Sequence, residues 1–213
     1  MSRLEEQVKP ILTPLLSGYQ RTLDSTAQEL IATWASMKAI ATYGDHRNNG
    51  PKVYSSEARD TVFRSKAPPT SFRIHLSGYG RSGSFGITPS DAQAVRGPTP
   101  LGTIFTFTML LNHLVVRVVG ANGTIDLDQL LLASAADQQI RIWPTNPQDV
   151  SWPPPVTMDV ADLVEFSNGP FRPGGSSPRT NNPFCGLVND PTLCRRCGLY
   201  HPEKLFLKLP INR

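Results

Sequence analysis

A chain of 213 residues with 39% hydrophobic and 18% charged content can form one good core and has the composition of a soluble globular protein. No apolar run is long enough to cross a bilayer, and the start Met1-Ser2-Arg3-Leu4-Glu5-Glu6 is charged and reads as helical, so no signal peptide is expected there. Only three cysteines are present, an odd number in one short window, which argues against a secreted disulfide framework and leads us to expect a cytoplasmic protein. The net charge of +4 is concentrated at one end: residues 179–213 hold six basic residues and two acidic ones, so the rest is nearly neutral.

In chain order, Leu4, Val8, Ile11, Leu12, Leu15 and Leu16 share one helical face over residues 3–17, where Pro10 is expected to kink the helix or delay its start. Asp24, Ser25 and Thr26 supply N-cap candidates for a second helix, with Gln28 placed as in a capping box. Leu30, Ile31, Trp34, Met37, Ile40 and Ala41 carry that helix to about Tyr43, and Gly44 is expected to end it. The short link predicts a helical hairpin. A polar stretch follows, with a turn at Asn48-Asn49-Gly50-Pro51 and a short helix expected within residues 54–65.

The period then changes. Phe72, Ile74 and Leu76 alternate, and Phe85 and Ile87 follow a Gly-rich turn, which predicts a β-hairpin. Residues 103–111 and 113–119 are rich in β-branched and aromatic side chains and predict two strands joined at Asn112-His113. Residues 126–136 fit either a helix or an irregular cover, and residues 139–143 predict a further strand. Prolines at 144, 147 and 153–155 mark a rigid extended segment, and Asp159 is placed to cap a short helix holding Leu163. These readings predict an α+β fold, an N-terminal helical hairpin packed on a mostly antiparallel sheet. Residues 1–166 form the main domain, residues 167–182 a Gly/Pro/Ser-rich linker, and residues 183–213 a basic Cys/His tail.

That tail holds the most specific chemistry in the chain: Cys185-x8-Cys194-x2-Cys197-x3-His201. Three thiolates and an imidazole form a complete tetrahedral set for Zn2+, and the Cys194–Cys197 spacing is that of a zinc knuckle. Four protein ligands leave no open coordination position, so the expected role is structural: folding a tail with little apolar mass. Arg195 and Arg196 lie inside the knuckle, with Lys204 and Lys208 beyond it, and all four are candidates for contacting phosphate.

The remaining motifs predict scaffold rather than catalysis. The Gly78–Ser84 stretch lacks the Gly-Lys-Ser/Thr ending of a phosphate loop and precedes strand-like sequence, so a hairpin turn is expected. Gly-x-Ser-x-Gly is absent. Trp34 and Lys38, one turn apart, predict core packing with a snorkelling lysine, and Trp143 and Trp152 are expected to cover the sheet edge. His46, His75 and His113 are too scattered to nominate as a site, and His113 at a strand end is expected to be structural.

Three stretches carry a resemblance. Met1-Ser2-Arg3-Leu4-Glu5, followed by Lys9-Pro10 and Leu15, is one; Ile31-Ala32-Thr33-Trp34-Ala35-Ser36-Met37-Lys38 is another. The third is Ile142-Trp143-Pro144 with Trp152-Pro153-Pro154. Together they resemble the region that follows a Cys-x-x-Cys-Asn-x-Gly-Trp-type segment in poorly characterised bacterial HNH-endonuclease-like proteins, over roughly residues 1–166. The resemblance implies the accessory region of such a protein, without the HNH motif. Nuclease chemistry is not carried over, since no clustered general base and metal ligands occur between Met1 and Thr180.

The expected function is non-catalytic contact with nucleic acid or a nucleic-acid-processing complex, through the zinc-stabilised basic tail. The alternative is a protein-interaction module, such as a phage or mobile-element inhibitor of a host complex. A third reading is a divergent metal-dependent nuclease. No small-molecule substrate and no membrane partner is inferred.

Overall fold

The computed structural model describes residues 3–46, 54–96, 99–123, 125–128, 138–159 and 162–163. Among the described residues it is an α+β fold with three helices and a mostly antiparallel six-stranded sheet. Helix α1 runs Arg3–Leu16 and buries Val8, Ile11, Leu12 and Leu15, the face predicted by periodicity. Pro10 does not delay its start, and Pro14 also lies inside it. A proline at position 14 has no N–H for the carbonyl of residue 10. Arg21 takes that place, its Nη1 donating to Pro10 O at 3.4 Å.

Helix α2 runs Ser25–His46. Its cap is Asp24, whose Oδ1 accepts from Ala27 N at 2.7 Å, so Ser25 is the first helical residue rather than the cap of a Ser25/Gln28 box. Gly44 does not end the helix. A helical glycine costs only about 1 kcal/mol relative to alanine, and Tyr43 is held against the sheet. Its hydroxyl donates to Thr106 O at 2.8 Å and its ring meets Phe105 edge-on at 5.4 Å. The link between the helices contains a three-residue strand, β1 (Arg21–Leu23), which the sequence reading did not anticipate. It pairs antiparallel with β7 (Val150–Trp152), inside the segment read only as extended. Helix α3 (Ser56–Asp60), capped by the Ser55 side chain, continues into a π-helical turn at Thr61–Ser65.

The main sheet contains β2 (Phe72–Tyr79), β3 (Phe85–Arg96), β4 (Thr99–Leu111), β5 (Leu114–Ala121) and β6 (Ile140–Trp143), in the order β3-β4-β5-β2-β6. The short β8 (Thr157–Met158) runs parallel to the far end of β2. The hairpin expected between the strands at 71–79 and 85–87 does not form, because β3 pairs with β4 and β2 pairs with β5 and β6. The residues of β2 are buried on both faces, and its backbone is paired along both edges, by valine-rich β5 on one and by β6 on the other. Pro89 fits β3 to an edge, where one side of the backbone needs no donor. The β4–β5 hairpin turns as expected at Asn112-His113, with Asn112 in the left-handed region at φ 56°.

Alternate residues of these strands (Phe72, Ile74, Leu76, Phe105, Phe107, Val116, Val118) face α1 and α2 and make the main core. Phe105 is at its centre, in edge-on contact with Phe72, Tyr43 and Tyr54. Helices α1 and α2 are tied by an ion pair between Lys38 Nζ and Glu5 Oε1 at 2.6 Å, while Trp34 is buried one turn away as predicted. Trp143 on the edge strand β6 donates through Nε1 to Pro69 O at 2.9 Å, and Trp152 is buried in the β1–β7 ribbon.

Candidate functional site

In an antiparallel sheet, directly opposed residues share a face and lie about 5 Å apart. Following the register across β6, β2, β5, β4 and β3 gives one row: Arg141, His75, Arg117, Thr108, Thr88. It lies on the face turned away from α1 and α2. Ser77 and Thr106 stand in the rows on either side, and Arg73 faces Val119 beside Thr106. Leu127 packs on this face against Ile104 and Val119, so both sides of the sheet are covered.

The row passes from solvent into the interior. Arg141 is 57% exposed at its side chain, His75 retains 8%, and Arg117 and Thr108 retain 1% and 0%. Its mouth is built around Asp128. Arg73 donates to that carboxylate in two parallel bonds, Nε to Oδ1 at 2.8 Å and Nη2 to Oδ2 at 2.6 Å. Arg141 Nη1 lies 3.7 Å from Oδ1. The bidentate bond from Arg73 holds the Asp128 carboxyl below its usual range and raises the Arg73 guanidinium.

Inside, burial pushes His75 down to about 3, and Arg117, Arg141 and Arg73 push in the same direction, with Asp128 opposing. The imidazole is therefore neutral at pH 7. Burial also lowers Arg117, to about 10, which still leaves it charged at neutral pH. His75 Nδ1, Ser77 Oγ, Thr88 Oγ1, Thr106 Oγ1 and Thr108 Oγ1 are buried without a hydrogen-bond partner among the described residues. No other part of the described structure gathers so many buried polar groups on one surface.

The sequence reading set His75 aside as isolated and missed this row. A signal existed: Arg73-x-His75-x-Ser77 and Thr106-x-Thr108 place polar residues at every second position. Period-two polarity ordinarily marks a solvent-facing side, so burial could not be read from it. His113 is structural, as expected, with Nδ1 3.0 Å from Tyr79 O and its ring against Gly18. The Gly78–Ser84 stretch leads into strand β3, with no helix to complete a phosphate loop, and it is not a hairpin turn. Its end docks on the β4–β5 turn, where Gly83 N donates to Asn112 Oδ1 at 2.6 Å.

The sequence-predicted zinc ligands Cys185, Cys194, Cys197 and His201 lie outside the described residues, as do Arg195, Arg196, Lys204 and Lys208. Among the described residues no group of three or more His, Cys, Asp or Glu is placed to hold a metal ion. No described helix is long and apolar enough to cross a membrane. No protein-family model matches the chain, and neither a curated protein nor a solved structure is significantly similar to it.

Proposed function

We propose that this chain is a binding protein that contacts nucleic acid, or a complex that processes it, through the basic Cys/His tail, with the α+β domain as its folded body. The observation that carries this reading is the spacing Cys185-x8-Cys194-x2-Cys197-x3-His201 enclosing Arg195 and Arg196. Zinc bound by all four ligands would fold the tail without supplying a reactive water. The two arginines would then be held on a small rigid loop, suited to phosphate. The resemblance of residues 1–166 to the accessory region of HNH-endonuclease-like proteins points toward the same class of partner.

The test has two parts. Purified full-length protein should contain one zinc per chain, lost in Cys194→Ser. It should also retard DNA or RNA in a salt-dependent manner, and Arg195→Ala/Arg196→Ala should abolish the shift. No affinity for any nucleic acid at low salt would overturn the reading. Chelator-sensitive cleavage of plasmid DNA, lost in His201→Ala, would replace it with the metal-dependent nuclease.

A further inference from the structure

We draw no further inference here: the strongest candidate, the outer edge of strand β3 (Phe85–Arg96), which no described strand pairs and where Phe85 is 48% exposed, carries nothing because nothing in the structure shows what covers it.

Discussion

Gln28 and Asn146, 118 positions apart in sequence, are joined by a hydrogen bond in which Asn146 N donates to Gln28 Oε1 at 2.8 Å. Gln28 is fully buried, and its Nε2 donates to Leu23 O at 3.1 Å and to Gln148 O at 3.3 Å. One side-chain amide thus ties the first turn of α2 to β1 and to the loop before β7. Its position three residues after Ser25 suits a capping box, but Asp24 caps the helix and leaves Gln28 free to bridge.

Gln28→Ala should therefore cost far more than loss of a cap. Three backbone groups lose their side-chain partner in the interior, and a destabilisation of roughly 2–4 kcal/mol is expected. Urea denaturation of wild type and variant measures it. A loss below about 0.5 kcal/mol would show that the bridge contributes little.

His75 should give the protein a distinct acid limb. Its folded pKa of about 3 lies below the ordinary value of 6.5, so the unfolded chain takes up the proton first as pH falls. The associated stability is fully present above pH 6.5 and drains away toward pH 3. Between pH 7 and 4.5 the wild type should lose on the order of 2 kcal/mol, and His75→Gln should flatten that loss. Staying above pH 4.5 keeps the measurement clear of Asp128, whose contribution is lost only below the ordinary carboxylate range. An unchanged slope in His75→Gln would assign the limb to another group.

Gly120→Ala should be severely destabilising. A Cβ there would lie 2.3 Å from the Phe105 ring and 2.9 Å from Phe72, which pack edge-on against each other. Neither ring can move without disturbing the core under α2, and the cost should be about 3 kcal/mol or more. In a Phe105→Leu background the added penalty should shrink, which a double-mutant cycle by chemical denaturation would show.

The Arg73–Asp128 pair should be coupled, though modestly. Its bidentate geometry favours it, but Asp128 is 52% exposed and solvent screens the charges. A cycle through Arg73→Ala and Asp128→Ala should give about 1 kcal/mol or less, falling as salt is raised.

Local patterns in the sequence identify α1, the existence of α2, strands β4 to β6 and the two-residue turn at Asn112-His113. Each depends on contacts within a few residues: apolar spacing at Val8, Ile11, Leu12 and Leu15, or β-branched runs such as Leu114–Ala121. The same local chemistry marks Cys185, Cys194, Cys197 and His201 as a candidate metal set, because ligand type and spacing are properties of the chain itself.

Tertiary structure decided which strand pairs with which. The short Gly-rich link suggested that β2 and β3 are partners, yet β2 pairs with β5 and β6, and β3 pairs with β4. Tertiary packing also carried α2 past Gly44 and paired β1 with β7 across more than half the chain. Above all, it buried alternating polar side chains of β2 and β4, with Arg117 of β5 between them. Alternation alone says that two faces differ, and only the layers packed on each face determine which of them meets water. Here the middle of both faces is covered, and His75, Arg117 and Thr108 come to lie side by side in the interior.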